Sequence, residues 1–489
     1  MSNPIPALAI CLPLLGALLV LVNKDRPNLR DGISLVTTVL LFFLVLSLYG
    51  PVLAGEQPAW RFIAPIPGLA MGFRVEPLGL LFATVASGLW IVTTVYAIGY
   101  MRRNKEKRHT MFFFCFAIAI AAAMGVAFSA DLLTLFVFYE ALTLSTYPLV
   151  AHKQTKEARR GAKIYLAFLL STSIGLLLVA IIATYATAGT LQFTEGGVLT
   201  GKLGNFGLTV LVCLFAFGIG KAALMPVHRW LPSAMVAPTP VSALLHAVAV
   251  VKAGVFTVVK VVVYIIGVDN LAATGAGDIV LWTAAITLTF ASIVALRKDN
   301  LKARLAYSTV GQLAYVVLGA MLANSAGLLG ASMQIPMHAV GKITLFFCAG
   351  AIYVATHKTE ISQLDGLGHR MPFTFAAFFI GSMSIIGLPP MGGAWSKWFL
   401  LMGTADAQQW ILMGLLLLSS LLNIAYLLPI VGRGFFRPLP AEEAERLPPG
   451  TLDEAPMTCV IPLSVTAAGC VVLFLYADAI HDFLLPLFP

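Results

Sequence analysis

Residues 215–232 read FAFGIGKAALMPVHRWLP, and they place a lysine inside a strongly apolar segment. Gly218 and Gly220 precede Lys221, and Pro226 follows it. Glycine and proline interrupt helices, and a helix broken inside a membrane frees backbone groups that can hold water or ions near the midplane. The stretch therefore predicts a membrane-spanning helix that is broken close to a functional lysine.

Residues 384–401 repeat this pattern and read SIIGLPPMGGAWSKWFLL. An apolar half-helix is followed by a Gly/Pro-rich break and then by Lys397. Lys221 and Lys397 fall in predicted spans 7 and 12, and an offset of five spans reverses the direction of the helix. This matches an inverted repeat, spans 4–8 against spans 9–13, with paired broken helices at the functional centre.

The composition predicts a polytopic membrane protein. Of 489 residues, 59% are hydrophobic and 11% are charged, whereas a soluble domain has about 25% charged residues. Lipid can cover such apolar surfaces. We assign the net charge of +9 to cytoplasmic loops, and because basic residues do not alternate with aromatic ones, we expect no nucleic-acid partner.

No cofactor or metal site is expected. The six cysteines are scattered without a C-x-x-C pair, which argues against zinc, iron–sulfur clusters and a disulfide framework. Neither a G-x-G-x-x-G motif nor a P-loop is found. The N-terminal apolar run lacks a preceding basic region and a clear A-x-A site, so it predicts a first span rather than a cleaved signal.

Apolar runs long enough to cross the hydrocarbon layer, about 20 residues, number about 14. The predicted spans are 4–22, 31–54, 76–100, 110–129, 131–151, 162–188, 205–228, 237–266, 278–296, 301–323, 327–355, 371–402, 407–432 and 457–484. They divide the chain into spans 1–3 (1–109), a first repeat of spans 4–8 (110–266), a second repeat of spans 9–13 (278–432), and a cytoplasmic loop with span 14 (433–489).

The distribution of basic residues predicts the orientation. Of 31 Lys and Arg residues, 23 lie in loops after odd-numbered spans, and only Arg61, Arg74 and Lys202 lie in the opposite loops. Cytoplasmic loops carry the excess of Lys and Arg. We therefore expect a multi-pass protein of the cell inner (cytoplasmic) membrane, with both termini facing the periplasm or exterior.

One glutamate, Glu140, and five lysines lie deep inside the spans; the lysines are Lys221, Lys252, Lys260, Lys342 and Lys397. A charge at the bilayer centre costs about 2.5–3.5 kcal/mol on insertion scales, so these side chains should face protein or water. Low dielectric disfavours the charged form of a lysine, and a nearby carboxylate reverses that effect. A glutamate–lysine pair whose separation changes is therefore a plausible proton gate, and we interpret Glu140, in FVFYEALTLSTYPLV, as the partner of Lys221.

The remaining candidates lie in two segments. His246 and Lys252 are six residues apart in APTPVSALLHAVAVVKAGVF, where they could be successive stations of a path, and Pro238 and Pro240 are expected to kink the entry. Lys260 lies nearer the outer end, and its side chain is expected to extend to the membrane surface.

His338 and Lys342 lie in MQIPMHAVGKITLFFCAG at i and i+4, on one helical face. Pro336 and Gly341 suggest irregular backbone there. We therefore predict a proton pathway through Glu140, Lys221, His246, Lys252, His338, Lys342 and Lys397.

Five motifs resemble the antiporter-like subunits found in Mrp-type cation/proton antiporters, respiratory complex I and membrane-bound hydrogenases. They are LLTLFVFYEALTLSTYPLVAHK, PVHRWLPSAMVAPTPVSALLHAVAVVKAG, DNLKARLAYSTVGQLAYV, MHAVGKITLFFCAGAI and GLPPMGGAWSKWF. The resemblance covers spans 3 to 13. It implies an all-α membrane fold of about 14 helices with two inverted five-helix repeats and a central polar axis.

The resemblance also implies roles for single residues. Glu140 resembles the fifth-helix glutamate, Lys221 the seventh-helix lysine and Lys252 the connecting lysine of the eighth helix. Lys397 resembles the terminal residue of the twelfth helix, which is Lys in some subunits and Glu in others. His338 and Lys342 match positions on the eleventh helix, and His246 matches a histidine of the larger family members.

Length and span count are closest to the D-type family of Mrp subunits, whereas PTPVSALLHAVAVVKAG is more similar to the large Mrp subunit. The resemblance implies a proton-translocating subunit of a multisubunit Na⁺ or K⁺/proton antiporter, a transporter rather than an enzyme, with other membrane subunits as partners. The alternatives are a proton-pumping subunit of a redox complex (NADH:quinone oxidoreductase or hydrogenase), a membrane subunit of an inorganic-carbon uptake complex, and a structural scaffold.

Overall fold

The computed structural model describes residues 3–66, 69–440 and 452–488. Ten helices in these parts of the chain are long and apolar enough to cross a membrane. They are α1 Ile5–Val22, α2 Pro27–Leu46 (continued by Tyr49–Leu53), α3 Pro77–Arg103, α4 His109–Ala127, α5 Leu132–Val150, α6 Lys156–Ala188, α9 Asp278–Arg297, α11 Ser325–Thr356, α13 Trp410–Phe436 and α14 Met457–Leu475.

Four further spans are shorter, interrupted or more polar. They are α7 Asn205–Gly218, α8 Val250–Val261, α10 Leu301–Met321, and α12 with its two halves Pro372–Ile386 and Gly393–Asp406. The described chain thus has a helical element for each predicted span, which confirms the helical membrane architecture. The division into repeats stays a prediction, and residues 441–451 of the predicted C-terminal part lie outside the described residues.

Both predicted helix breaks are confirmed. α7 ends at Gly218, and Lys221 lies in the tight turn Gly220–Ala222. The first half of α12 ends at Gly387, whose φ of +90° favours glycine. The breaks differ in one respect, because Lys221 lies inside its break whereas Lys397 lies in the second half of α12.

α8 is regular only between residues 250 and 261. Wide π-type turns flank it at Leu244–Val248 and Val262–Ile266. The predicted kink at its entry takes a different form, because Pro238 caps the short helix Thr239–Ala243 and Pro240 lies in its first turn. Proline is tolerated there, since the first backbone N–H groups of a helix have no internal acceptor.

The irregular backbone predicted near Pro336 and Gly341 is wrong. Both residues lie inside α11, which is one continuous helix of 32 residues. A Cβ at position 341 would lie 3.0 Å from Ile385 Cδ1 and 3.3 Å from Ser384 Oγ. Gly341 therefore permits close packing of α11 against α12, and α11 stays continuous although Pro336 has no backbone N–H to donate.

α4 and α11 form the centre of the bundle. Each buries 78% of its most apolar stretch inside the protein, whereas α2 and α13 bury 33% of theirs. Large apolar side chains such as Phe43 and Leu421, 63% and 62% exposed, cover the outer helices. The surface therefore offers apolar area to lipid or to other membrane proteins.

A short β-hairpin, which the sequence did not reveal, connects α2 and α3. β1 Ala59–Ile66 pairs antiparallel with β2 Leu69–Arg74. The backbone N–H of Asn3 donates to Ala59 O at 2.9 Å, and the Arg74 guanidinium donates to Phe193 O in the loop after α6. The hairpin thus gathers the N-terminus and the 189–204 loop on one side of the bundle.

The C-terminus lies on the same side. Ser325 Oγ donates to Phe488 O at 2.5 Å, and Phe488 lines a cavity together with Glu195 of the 189–204 loop. We call this side the hairpin face and the opposite one the basic face. Both termini thus lie on one face, as the alternation of basic loops predicts.

Close helix packing around α11 provides a stability test. A Cβ at Gly330 would lie 2.7 Å from the Leu400 backbone N of α12, whereas a Cβ at Gly414 of α13 would meet nothing within 4 Å. We expect Gly330→Ala to destabilise the purified protein by about 1–3 kcal/mol through overpacking and to lower its thermal unfolding temperature by several degrees. Gly414→Ala should leave that temperature unchanged or raise it, and equal effects of the two substitutions would contradict the packing.

Candidate functional site

Lys221 is fully buried beside α5. Its ammonium donates to Tyr139 O at 2.9 Å and to Thr143 Oγ1 at 2.6 Å, and it lies 3.1 Å from the centroid of the Tyr139 ring. The Lys221 backbone N–H also donates to the Tyr139 hydroxyl at 3.1 Å. The break in α7 thus presents one side chain and one backbone donor to the same turn of α5.

Gly254 of α8 allows the break to lie against that helix. A Cβ at position 254 would overlap the backbone of Lys221 and Ala222. The segment between Gly218 and Pro226 is therefore held between α5 and α8, and Lys221 has little room to move independently of either helix.

Glu140 lies near Lys221 but does not bind it. Among the described residues, no ion pair within 4.0 Å joins the two side chains, and neither carboxylate oxygen of Glu140 has a hydrogen-bond partner. Glu140 is nevertheless close enough to attract the Lys221 ammonium electrostatically. The two side chains of the predicted pair are thus near each other but not in direct contact.

Lys252 of α8 and His338 of α11 form a direct contact. Lys252 Nζ lies 2.5 Å from His338 Nδ1, and both side chains are buried. This distance is within hydrogen-bonding range, and the imidazole accepts from the lysine when its Nδ1 carries no proton. His246 belongs to the turn Leu244–Val248, but its side chain lies outside the described residues.

Lys342 lies one turn beyond His338 and contacts a different neighbour. Its ammonium donates to Ser308 Oγ at 2.6 Å and to Leu305 O at 3.3 Å, both on α10. The i, i+4 spacing therefore places both side chains on one face of α11, where His338 contacts α8 and Lys342 contacts α10. In the described structure, these two side chains do not bond to each other.

Lys397 is held by the break in its own helix. Its ammonium donates to Ile386 O, at the end of the first half of α12, at 2.9 Å, and to Ser420 Oγ of α13 at 3.0 Å. It also lies 4.8 Å from the centroid of the Tyr315 ring. The carbonyl that the break leaves without an intrahelical partner thus becomes a ligand of the lysine.

Uncharged side chains connect Lys342 to Lys397. The Tyr426 hydroxyl donates to Ser308 Oγ at 2.8 Å. With the Asn423 amide oxygen directed toward the lysine, that oxygen accepts from Lys397 Nζ at 3.2 Å and the amide nitrogen donates to Tyr426 at 2.5 Å. This orientation gives donors and acceptors matching partners. A continuous hydrogen-bonded path therefore runs from Lys342 to Lys397.

Sequence reasoning missed these connecting residues. Gln312 of α10 donates to the Asn423 oxygen at 3.1 Å and accepts from Gln334 of α11 at 2.7 Å, which extends the path into a network. Uncharged polar side chains cost less to bury than charges and so give a weaker signal. The spacing of Ser308 and Gln312, one turn apart on α10, could have indicated a polar stripe.

The candidate line has two gaps and a stretch of like charges. No hydrogen bond among the described residues connects Lys221 with Lys252 or His338 with Lys342. Lys342 lies close enough to Lys252 and Lys397 for like charges to repel.

Lys260 does not extend to the membrane surface as predicted. Its ammonium forms an ion pair with Glu76 at 2.6 Å, donates to Ser129 O at 2.8 Å, and both ion-pair side chains are at most 3% exposed. The Phe193 and Phe256 rings lie beside the ammonium. The carboxylate at the start of α3 attracts Lys260 inward, and this partner is distant in sequence.

Comparison with known proteins identifies the family. Residues 129–423 match the family described as NADH:quinone oxidoreductase/Mrp antiporter, TM. This range includes every residue of the predicted proton pathway, from Glu140 to Lys397.

Two curated relatives match nearly the whole chain. NADH-quinone oxidoreductase subunit N of Desulforudis audaxviator is 30% identical over 497 residues, covering 98% of this chain and 97% of the relative. NADH-quinone oxidoreductase subunit L of Mycobacterium tuberculosis is 29% identical over 480 residues, covering 95% of this chain and 74% of the relative.

Two solved structures share the fold. A chain of the membrane-bound sulfane sulfur reductase, an archaeal respiratory membrane complex, superposes with a TM-score of 0.87 at 23% identity, covering 99% of this chain and 97% of that one. A chain of the Mrp complex from Dietzia sp. DQ12-45-1b gives a TM-score of 0.87 at 20% identity, covering 99% and 96%. Because the family match spans more than half of the sequence, this multi-pass membrane protein belongs to the NADH:quinone oxidoreductase/Mrp antiporter transmembrane family.

Proposed function

We propose that the chain is a proton-translocating subunit of a multisubunit membrane complex, and that Glu140, Lys221, His246, Lys252, His338, Lys342 and Lys397 form its proton pathway. The observation that carries this proposal is the row of buried groups from the Lys252–His338 contact through Lys342, Ser308, Tyr426 and Asn423 to Lys397. Its members come from α8, α10, α11, α12 and α13, so the row runs across the bundle.

The contacts suit proton exchange because most partners of the lysines are neutral. Lys252 can pass a proton to His338 Nδ1 across 2.5 Å. Ser308 Oγ can take a proton from Lys342 and give its own proton to Tyr426 once both hydroxyls have turned. The Asn423 amide does not titrate and holds Tyr426 and Lys397 in place, so the last transfer takes place when the Lys397 amine approaches the Tyr426 hydroxyl. Since like charges repel along the row, loading of one lysine promotes release from the next.

Glu140 and Lys221 act as the gate of the pathway. At 4 Å and an effective dielectric constant of about 20, a carboxylate stabilises an ammonium by about 4 kcal/mol, which is roughly a thousandfold in proton affinity. The two side chains are farther apart here, and the lysine instead binds Tyr139 O and Thr143 Oγ1. Approach of Glu140 would favour proton uptake, and separation would favour release.

Two assemblies are candidates. A multisubunit Na⁺ or K⁺/proton antiporter is supported by the likeness to the Mrp complex chain. A redox-driven proton pump is supported at least equally by the subunit N relative, which is matched over 97% of its length. In either assembly, other membrane subunits are the partners, and the basic loops support an orientation with the hairpin face outside the cytoplasm.

The side of the bundle next to Lys397 is suited to contact a neighbouring subunit or lipid. A cavity of about 430 Å³ beside the lysine is lined mainly by apolar residues, including Trp398, Leu417 and Leu421. These three side chains are 53–62% exposed. Apolar walls disfavour a water-filled channel at this position.

Loss of the gate lysine should abolish proton movement. We expect Lys221→Ala to lower the initial rate of proton transport at least tenfold in vesicles that contain the whole complex, and the Glu140→Ala/Lys221→Ala double variant to be no more active. Lys202→Ala, in an exposed loop, is the matched control and should transport at the wild-type rate. A correctly assembled double variant with wild-type activity would refute the proposed pathway.

The hydroxyl relay gives a second test. Tyr426→Phe removes the hydrogen bond to Ser308 and leaves the ring in place, so we expect a several-fold loss of proton transport without loss of assembled complex. Tyr307→Phe, on α10 but outside the relay, should have no such effect. Equal rates for both variants would mean that protons do not pass through Tyr426.

Purification from the native membrane distinguishes the two assemblies. Subunits that hold iron–sulfur or nickel centres among the co-purifying chains would assign this protein to a redox complex. Small membrane subunits without such centres, together with Na⁺- or K⁺-dependent proton movement in vesicles, would assign it to an antiporter.

A further inference from the structure

The Glu76–Lys260 ion pair lies outside the proposed pathway but on one of its helices. Lys260 is in the last turn of α8, and Glu76 immediately precedes α3. No ion pair in the described parts of the chain is more deeply buried. A pair that is buried so completely loses much hydration energy, and its Coulomb attraction does not always repay that loss.

Other charged and titratable groups lie near the pair. Arg74 of β2 and Asp131 at the start of α5 act electrostatically on Lys260. Tyr264, one turn beyond Lys260, interacts with the Glu76 carboxylate and is influenced by Glu195. The pair is thus part of a polar cluster at the hairpin face rather than an isolated contact between two helices.

A cavity connects this cluster to the hairpin face. It has a volume of about 380 Å³, and its walls include Glu76, Tyr264, Arg61 and Glu195. Glu76 and Tyr264 are buried, whereas Arg61 and Glu195 are exposed and lie at the mouth. The cavity is large enough to hold several water molecules, and the Glu76 carboxylate forms part of its wall.

On its other side, the pair lies close to the proposed pathway. Lys252 and Lys260 are eight residues apart on α8, which corresponds to about 12 Å along the helix. Thr257 lies between them, and in the described part of the chain its hydroxyl donates to Ala253 O of its own helix. The Phe82 and Phe256 rings pack at a centroid distance of 5.0 Å in the same region. An apolar barrier therefore separates the Lys252–His338 contact from the ion pair.

We propose that Glu76 and Lys260 form the proton-exchange site through which the pathway communicates with water on the hairpin face; this inference rests on the proposed function. The Lys260 ammonium transfers a proton to the Glu76 carboxylate, so that an N–H bond breaks and an O–H bond forms. Glu76 then releases the proton to water in the cavity. Lys260 regains a proton from the Lys252 side when the Phe82–Phe256 barrier opens, and the reverse order admits protons.

α8 has the irregular backbone that such opening needs. π-type turns lie on both sides of the regular segment Val250–Val261, and such turns occur often at functional sites. A change in either turn would shift Phe256 relative to Phe82 of α3. The same shift would change the environment of Lys252 and Lys260 together.

A neutral double variant tests the site. Glu76→Gln/Lys260→Met removes both charges and keeps the side-chain volumes, so folding should survive. We expect the assembled complex to have a wild-type unfolding temperature within a few degrees and at least a tenfold lower rate of proton transport. Wild-type transport by this variant would show that the pair only holds α3 against α8 and would overturn the inference.

Chemical modification from outside supplies a second readout. Glu195→Cys places a thiol at the mouth of the cavity, and Lys202→Cys places one elsewhere on the same loop. A cationic, membrane-impermeant thiosulfonate applied to the hairpin face should slow transport several-fold in the Glu195→Cys complex and leave the Lys202→Cys complex unaffected. Equal sensitivity of the two complexes would place the exchange site elsewhere.

Parallel measurement of Lys221→Ala separates this inference from the function on which it rests. If Lys221→Ala abolishes transport and Glu76→Gln/Lys260→Met does not, only the exchange site is wrong. If neither variant changes transport, the proposed function itself is wrong.

Discussion

The structure depends on one constraint, which is that an ammonium group inside a bilayer must find acceptors within reach of its own side chain. Four of the five intramembrane lysines meet it with a backbone carbonyl: Lys221 with Tyr139 O, Lys260 with Ser129 O, Lys342 with Leu305 O and Lys397 with Ile386 O. Lys252 meets it with an imidazole. Helix breaks, loops and hydroxyl side chains supply the oxygen atoms that accept hydrogen bonds from these ammonium groups.

The character of the partner separates two kinds of lysine. Lys221, Lys252, Lys342 and Lys397 have neutral hydrogen-bond partners, which tolerate a charged or an uncharged amine. Lys260 has an ionised partner, the Glu76 carboxylate at 2.6 Å. The first kind suits groups whose charge changes as protons pass. The second suits a position where charge is held until a carboxylate accepts the proton.

The sequence predicted those features that have a local signature. The breaks at Lys221 and Lys397 followed from Gly218, Gly220 and Gly387 together with nearby prolines, and the charged residues were conspicuous because burial makes them costly. Pro336 and Gly341 misled the prediction, because the same residue types also occur where a continuous helix packs tightly. Their effect depends on the neighbouring helix, which the local sequence does not reveal.

The connections between candidates depend on tertiary structure and could not be read from spacing. Ser308 and Tyr426 are 118 residues apart, and Lys252 and His338 are 86 apart. The expected position of Lys260 was wrong for the same reason, since its partner Glu76 precedes another helix. The sequence identified the charged side chains that are costly to bury, whereas only the fold shows which of them are in contact.

The close contact at Gly254 has a mechanical consequence. With no side chain at this position, the backbone of α8 rests directly on the backbone around Lys221, and Lys252 lies two residues earlier on the same helix. A displacement of α8 would therefore move Lys252 with the helix and would push against the backbone of Lys221. No hydrogen bond among the described residues joins Lys221 to Lys252. Steric contact at Gly254 nevertheless couples the positions of these two lysines.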